Sequence, residues 1–237
     1  MRLDKYLSNA GIASRSEIKK YLKTHQVTVN DVLVKQGKTQ IKETKDIIKI
    51  DNQIIQYKPY YYFLLNKPKG YVSANEDDRY PTIMDFFKDL NIKGLSHVGR
   101  LDLDTTGAIL ITNHGKLAHF LISPKTNIKK IYNVTLDKPF SATLFDAFKK
   151  GIKLENGEIC KPAKLVITSK NTVNIELTEG KYHQVKRMFR ALGYEVTNLN
   201  REEFAGLNVK NCKFGEYYEL NDSEINYLLL LANLSSK

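Results

Sequence analysis

Two aspartates, Asp102 and Asp104, stand directly before an apolar run in the segment GRLDLDTTGAILITNHG, residues 99–115. If this segment is extended, both carboxylates project to the same side, and so does Arg100. Like charges repel, so both aspartates stay ionised only beside a cation. The spacing alone favours a loop in which Asp104 accepts hydrogen bonds from the following threonines or from backbone N–H groups, and it assigns catalysis to neither carboxylate.

A cationic helix is the second candidate for chemistry. In EGKYHQVKRMFRALG, residues 179–193, apolar residues recur at helical spacing and a glycine ends the pattern. Lys186, Arg187 and Arg190 lie on the opposite face. Four basic residues stand from Lys181 to Arg190 with no acid between them, which favours contact with a polyanion over a merely solvated face. The apolar positions of this predicted helix are Val185, Met188, Phe189 and Leu192.

The sequence does not contain the motifs typical of metal sites, disulfide frameworks, nucleophile elbows or nucleotide-binding loops. His114 and His119 are five positions apart, the wrong spacing for one helix face, and no His-Glu-x-x-His motif occurs, so we expect no metal. Cys160 and Cys212 are far apart and form no Cys-x-x-Cys motif, which argues against a disulfide framework or a zinc knuckle. No nucleophile elbow and no glycine-rich nucleotide motif is present, so nothing points to a dinucleotide, S-adenosylmethionine or ATP.

The composition favours a folded protein with a polyanionic partner. A chain of 237 residues suits one large domain or a small and a medium one, and 42% hydrophobic residues suffice for a core. Lys and Arg number 37 against 26 Asp and Glu, and basic side chains that meet phosphates release condensed counterions. The sequence has no apolar signal region and no apolar stretch of membrane-spanning length, so we expect a cytoplasmic protein with no membrane partner.

The first sixty residues predict a small basic unit. Apolar residues at i, i+4 and i+7 predict a short helix that Gly11 ends. Ser14 and Glu17 predict a capping box for a second helix over 15–23. Two valine-rich runs around Asn-Asp in VTVNDVLV predict a tight hairpin. The basic residues of this unit, six against two acids in the first 25 residues, are Arg2, Lys5, Arg15, Lys19, Lys20 and Lys23.

Residues 1–48 contain two helices followed by a hairpin, and the order of these elements resembles the alpha-L RNA-binding motif. The resemblance indicates RNA binding without saying which RNA is bound. The segment DNQIIQYKPYY, residues 51–61, is predicted to be a linker, because Pro59 breaks regular structure. We therefore predict two domains, at 1–57 and 58–237.

The second segment alternates short apolar runs with turn residues. YYFLLNKPKGYV predicts a strand, a Lys-Pro-Lys-Gly turn and a second strand, and a further strand over about 107–112 leads through a turn to the helix KLAHFLIS. KKIYNVTL, AKLVITS and TVNIELTE predict more strands, and DAFKKGIKL predicts a helix. Few helices among many strands indicate an α+β domain on a large sheet rather than a doubly wound nucleotide-binding fold.

Taken together, GRLDLDTTGAILITNHG and GKYHQVKRMFRALG resemble the signature of the pseudouridine synthases, in particular the RsuA-type group that modifies 16S rRNA. LLNKPKGYV at 64–72 and KIYNVTL at 130–136 match that group in the same order, so the resemblance covers nearly the whole chain. KYHQVKRM favours the 16S group over the related 23S enzymes. Ala108 stands where a bulkier leucine is usual and His114 where an acid is usual, and neither departure touches the catalytic pattern.

The resemblance implies a fold and a set of site residues. The fold is α+β, with a small alpha-L RNA-binding domain and a larger catalytic domain on a mixed, mainly antiparallel sheet with a central cleft. Asp102 would be the catalytic carboxylate, acting as a nucleophile or as a base at the ribose, with Lys186 as the cation beside it. Tyr132 would stack on the target base, and Arg100 would fill the gap that the flipped base leaves. The predicted RNA contacts are Arg2, Lys5, Arg15, Lys19, Lys20, Lys23, Lys67, Lys181 and Arg187.

The implied activity is the isomerisation of one uridine to pseudouridine in 16S rRNA, or in a small-subunit assembly intermediate, by a monomer. No group is oxidised or transferred, so the reaction needs no cofactor. One alternative is a 23S rRNA enzyme of the same family. Another is a non-catalytic rRNA-binding or ribosome-assembly protein on the same fold. That protein would be marked by loss of Asp102 or Lys186, and both residues are present.

Overall fold

The computed structural model describes residues 1–43, 45–55, 57–90 and 92–234, and the chain divides into two compact units, Met1–Tyr60 and Tyr61–Ser236. The helices are α1 (Leu3–Asn9), α2 (Arg15–Thr24), α3 (Gly115–Ile122), α4 (Phe145–Lys150), α5 (Gln184–Ala191) and α6 (Asp222–Leu231), with 3₁₀ helices at Ile83–Leu90 and Ala142–Leu144. The strands are β1 (Val27–Val29), β2 (Val32–Leu33), β3 (Ile48–Ile50), β4 (Gln53–Ile54), β5 (Tyr62–Lys67), β6 (Ser96–Val98), β7 (Thr106–Thr112), β8 (Lys130–Leu136), β9 (Lys164–Ser169), β10 (Thr172–Leu177), β11 (Val196–Phe204), β12 (Leu207–Asn208) and β13 (Tyr217–Glu219).

The first unit packs its two helices and a four-stranded sheet, in the order β2-β1-β3-β4, around a small apolar core. Gly11 follows α1 with a φ of +77°, a left-handed conformation that glycine adopts readily. Ser14 and Glu17 form the capping box of α2, in which the Ser14 N–H donates to the Glu17 carboxylate at 3.0 Å. β1 and β2 pair around Asn30 and Asp31, both with positive φ. The two helices and the hairpin predicted for this unit are therefore confirmed.

The predicted linker is wrong in its first half. Asp51 and Asn52 form the turn of a hairpin in which β3 pairs with β4. Their φ angles of +47° and +69° suit a two-residue turn between antiparallel strands. A polar run that looks like a linker therefore closes the small sheet. Gln56, in the same predicted linker, lies outside the described residues.

The second unit is built on a nine-stranded sheet. Its main path runs β13-β5-β7-β11-β8-β10-β9, with β12 paired to β11 and β6 to β7. β7 and β11 are parallel, and the other pairings between the described strands of this sheet are antiparallel. The prediction of an α+β fold on a mixed, mainly antiparallel sheet is confirmed.

Most of the predicted local structure of this unit is present, with one strand missing. β5, β7, β8, β9 and β10, and helices α3, α4 and α5, form where the sequence placed them. The strand predicted after the Lys-Pro-Lys-Gly turn is not formed, and within the described residues Val72 makes a single bridge to Thr82. The reason lies in the turn, because the Gly70 N–H donates to the Leu103 carbonyl at 2.8 Å. That bond directs the chain toward the loop before β7 instead of back along β5.

Apolar clusters on the sheet hold the elements that surround the loop before β7. Val185, Met188 and Phe189 of α5 are buried in one cluster, and Leu192 is half-buried against it. β7 is buried along its whole length and contributes alternate residues to another cluster. Among the described residues, no helix has the length and apolar character needed to cross a membrane.

β7 and β11 approach each other very closely at Gly107. Thr106 pairs with Asn200, and Gly107 pairs with Arg201. Gly107 has a φ of +107°, and a Cβ placed on it would lie 2.2 Å from the Arg201 carbonyl oxygen. A residue with a side chain therefore cannot stand here unless one of the two strands moves.

Gly107→Ala should destabilise the protein by about 3 kcal/mol or more, because it combines backbone strain with a main-chain overlap. The measurement is thermal and denaturant unfolding followed by circular dichroism. Gly115→Ala is the matched control, since Gly115 begins α3 and nothing lies within 4 Å of a Cβ added there. Equal unfolding midpoints for the two variants would contradict this account of the β7–β11 contact.

Candidate active site

Asp102 and Asp104 lie in a turn and not in an extended segment. The Thr105 N–H donates to the Asp102 carbonyl at 3.1 Å and closes this turn just before β7. The turn directs both carboxylates to one cation, the ammonium of Lys186. The two aspartates therefore share a side, as predicted, for a different geometric reason.

Lys186 bridges the two carboxylates. Its Nζ lies 2.6 Å from Asp104 Oδ1 and 3.3 Å from Asp102 Oδ2. His183 Nε2 lies 3.4 Å from the other carboxylate oxygen of Asp102. The Asp102 side chain is 29% exposed and that of Asp104 is 66% exposed, so Asp102 is the carboxylate that the protein encloses.

The shared lysine also sets the charge of Asp104. Burial raises the pKa of the Asp104 carboxyl, but the hydrogen bond and the charge of Lys186 outweigh that effect and hold the pKa below its ordinary value. The sequence assigned Asp104 to hydrogen bonds within its own loop. The structure makes it an ion-pair partner of Lys186 from a different part of the chain.

Helix α5 presents Lys186 to this turn because its apolar residues pack into the core on the opposite face. The residue before the helix, His183, has a left-handed φ of +46°, which bends the chain sharply into α5. Gln184 is buried, and its Nε2 donates to Glu179 Oε1 at 2.6 Å while its Oε1 accepts the Lys181 N–H at 2.9 Å. These bonds fix the segment that carries His183 beside Asp102.

Lys67 is the buried cation under the turn. Its side chain is 0% exposed, and Nζ donates to the carbonyls of Thr105 at 2.8 Å, Asp102 at 2.9 Å and Pro68 at 3.1 Å. Burial lowers the pKa of Lys67 to about 8, and the charges of Asp102 and Asp104 oppose that shift. The prediction that Lys67 contacts RNA is therefore wrong, because its ammonium is enclosed and binds main-chain carbonyls of the turn.

A cavity of about 170 Å³ lies beside Asp102. Arg100 and Tyr132 line it, so the structure brings these two predicted residues to the same cavity as Asp102. Tyr132 comes from β8 and is half-buried, whereas Arg100 precedes the turn and is exposed. Lys186 contacts the Asp102 carboxylate from outside the residues that line the cavity.

Lys130 and Arg201 also line this cavity, and neither is among the site residues predicted from the sequence. Arg201 is 2% exposed, and its Nε donates to the Ala108 carbonyl at 2.7 Å. Lys130 is half-buried, and its Nζ donates to the Ile128 carbonyl at 2.9 Å. One signal was available, since Lys130 stands two residues before Tyr132 and a strand places both side chains on one face.

The basic residues predicted to bind RNA in the first unit are exposed. Arg2 and Arg15 each form an ion pair with Asp4, at 2.5 Å and 3.4 Å, and their side chains remain 48% and 54% exposed. Ion pairs this exposed contribute little to stability, so both guanidinium groups stay accessible to a phosphate. The lysines of this unit that are predicted to bind RNA, Lys5, Lys19, Lys20 and Lys23, are exposed as well.

Within the described ranges of the chain, the basic residues in and just before α5 form more ion pairs and hydrogen bonds within the protein than those of the first unit. Arg187 Nη2 lies 3.1 Å from Glu158 Oε2, and Nη1 donates to the Tyr182 carbonyl at 3.2 Å. Lys181 Nζ donates to the carbonyl of Ile159 at 3.0 Å. RNA contact by Arg187 and Lys181 stays a prediction.

Comparisons with known proteins show the family of the chain. Residues 61–191 match the family described as RNA pseudouridylate synthase, and residues 1–48 match the S4 domain. The chain is 41% identical to the ribosomal small subunit pseudouridine synthase A of Haemophilus influenzae, over 97% of this chain and 100% of that protein. It is 36% identical to the protein of the same name from Escherichia coli K12, over 95% and 98% of the two chains. A crystal structure described as a pseudouridylate synthase superposes with a TM-score of 0.68 at 40% identity, over 96% and 99% of the chains.

An N-terminal RNA-binding unit and an α+β unit with a carboxylate in a cavity define an enzyme that acts on RNA. The chain belongs to the RNA pseudouridylate synthase family and is an RNA pseudouridine synthase with an S4 domain.

Lys67→Met should loosen the Asp102 turn, because it removes the buried donor of three carbonyls, and each unsatisfied carbonyl costs about 1–3 kcal/mol. We expect a lower unfolding midpoint and a large loss of pseudouridine formation. Lys69→Met is the matched control, since Lys69 belongs to the same Lys-Pro-Lys-Gly turn and is exposed. If Lys67→Met kept wild-type stability and activity, the turn would not depend on this ammonium.

Proposed function

We propose that this protein converts one uridine of 16S rRNA, free or in a small-subunit assembly intermediate, into pseudouridine with Asp102 as the catalytic carboxylate. The observation that carries the proposal is the placement of Asp102, partly enclosed, on the wall of a cavity and 3.3 Å from Lys186 Nζ. The choice of RNA is supported by relatives that are named for the ribosomal small subunit and match over nearly their whole length. A cytoplasmic, monomeric enzyme fits this substrate.

The reaction breaks the bond between ribose C1′ and uracil N1 and forms one between C1′ and uracil C5. Asp102 can assist in two ways, as a nucleophile at the sugar or as a base that removes a ribose proton. Both ways require the ionised carboxylate. In that form the carboxylate of Asp102 forms an ion pair with Lys186, whose Nζ lies 3.3 Å away.

The target base reaches the cavity only after it leaves the RNA stack. Tyr132 offers a ring on which the uracil stacks, and this stacking offsets part of the cost of flipping. Its ring is held in place because it packs against apolar clusters of the sheet. Arg100, exposed beside the cavity, fills the gap that the base leaves in the RNA. The exposed basic residues of the first unit supply contacts to phosphates.

Asp102→Asn should lower the rate of pseudouridine formation in small-subunit rRNA by more than about 10⁴-fold, because the amide neither attacks the sugar nor accepts its proton. Asp104→Asn is the matched control and should keep most of the activity, since Asp104 is the more exposed carboxylate. The measurement is pseudouridine content after incubation with rRNA, with circular dichroism as a check on folding. Normal modification by Asp102→Asn would overturn the assignment.

The substrate RNA is tested in cells. Pseudouridine mapped in both rRNAs of a strain with and without this gene should differ at one uridine of 16S rRNA. A lost site in 23S rRNA would support the alternative substrate within the family. Tight rRNA binding by the purified protein with no lost site in either rRNA would support the non-catalytic alternative.

A further inference from the structure

One wall of the cavity, formed by β8 and β11, carries two cations that the proposed mechanism does not use. Lys130 and Arg201 both line the cavity. Arg201 stands opposite Tyr132 in the β8–β11 pairing, and Lys130 precedes Tyr132 by two residues. Directly paired residues, and residues two apart on a strand, project from the same face of a sheet. The two positive charges therefore flank the ring proposed to stack on the uracil.

These two cations have hydrogen-bond donors to spare. An ammonium has three N–H donors, and among the described residues the Ile128 carbonyl is the one acceptor of Lys130. Arg201 Nη2 is buried and has no hydrogen-bond partner in the described part of the chain. A buried donor without an acceptor costs free energy, so such groups at a cavity indicate a ligand that accepts hydrogen bonds.

The charged groups around Lys130 come from several elements. Arg201 faces it from β11, Glu179 faces it from the segment after β10, and Asp102 and His183 line the same cavity. Burial lowers the pKa of Lys130 to about 8, Arg201 adds to that shift, and Glu179 opposes it. Near neutral pH Lys130 is therefore mostly protonated, and it lies beside Arg201 in the cavity proposed to hold the base.

We propose that Lys130, with Arg201 beside it, is a further catalytic residue that donates a hydrogen bond to a carbonyl oxygen of the target uracil and stabilises the negative charge that the base acquires. The inference rests on the proposed function of this site. When the C1′–N1 bond breaks, its electron pair stays on the uracil, which becomes an anion with charge on O2 and O4. The C1′–C5 bond then forms, the C5 proton leaves to water, and N1 takes a proton from water. Lys130 keeps its proton throughout.

A fixed cation suits the movement that the base must make. Turning the uracil by half a turn about the line through N3 and C6 exchanges N1 with C5 and also exchanges O2 with O4. A cation placed at one carbonyl therefore meets a carbonyl both before and after the turn. The same contact stabilises the anion that leaves and the anion that rejoins the sugar, whether Asp102 acts as nucleophile or as base.

The test is single-turnover pseudouridine formation in small-subunit rRNA between about pH 6 and about pH 10 by the wild type, Lys130→Met and Lys130→Arg. The wild-type rate should fall as the pH rises past about 8, where Lys130 loses its proton. Lys130→Met should lose about 100-fold in rate near pH 7, the usual effect of removing one donor that stabilises developing charge. Lys130→Arg should keep most of the rate and move the alkaline fall to higher pH, because arginine stays protonated.

Control measurements distinguish an effect of Lys130 from an effect of another lysine. Lys129→Met should behave as the wild type, since Lys129 is exposed and its Nζ lies 3.3 Å from Glu176. Lys67 also titrates near pH 8. An alkaline fall that persists unchanged in Lys130→Arg would therefore belong to Lys67 and overturn the proposal.

A folded Lys130→Met protein with the wild-type rate at neutral pH would also overturn it. If Lys130→Met does not fold, the pH profile of Lys130→Arg decides. An inactive wild type, or an active Asp102→Asn, would instead contradict the proposed function itself.

Discussion

The parallel pairing of β7 with β11 at Gly107 is the constraint on which the candidate active site depends. The turn that carries Asp102 leads directly into β7, while β11 carries Arg201 and follows the helix that presents Lys186. Because a Cβ at residue 107 would overlap the Arg201 carbonyl, the two strands lie as close as their main chains allow. Elements from distant parts of the sequence are thereby held so that the Asp102 carboxylate lies 3.3 Å from Lys186 Nζ.

Positive charge is arranged around Asp102 in three different ways. Lys67 is fully buried and binds the main chain of the turn, Lys186 binds the two carboxylates, and Lys130 and Arg201 line the cavity wall. The cost of burying the Lys67 ammonium is offset by the carbonyls that accept its protons and by the carboxylates nearby. The cations are in place in the free protein, so the candidate site needs little reorganisation to receive a ligand that accepts hydrogen bonds.

The sequence predicted elements with a regular local period, such as α5, and it predicted the site residues through a family resemblance. It did not predict contacts between distant segments. Lys67 is predicted to contact RNA, and its neighbours in sequence do not reveal its burial because that burial depends on a turn some 35 residues later. The Asp51–Asn52 turn lies in the linker predicted from Pro59, and Pro59 stands beyond the hairpin that β3 and β4 form. The spacing of Lys130 and Tyr132 places both side chains on one face of a strand, but it does not show that this face borders a cavity.

The separation of the site residues along the chain bears on how the enzyme is made. The hydrogen bond from Arg201 to Ala108 spans 93 positions of sequence, and contacts this distant form late because a long loop must close first. During synthesis, the segment with Asp102 leaves the ribosome well before the segments with Lys186 and Arg201. Until β11 emerges, β7 has no parallel partner. A growing or truncated chain therefore carries the S4 unit without a complete candidate site, and that site is assembled only when almost the whole chain is available to fold.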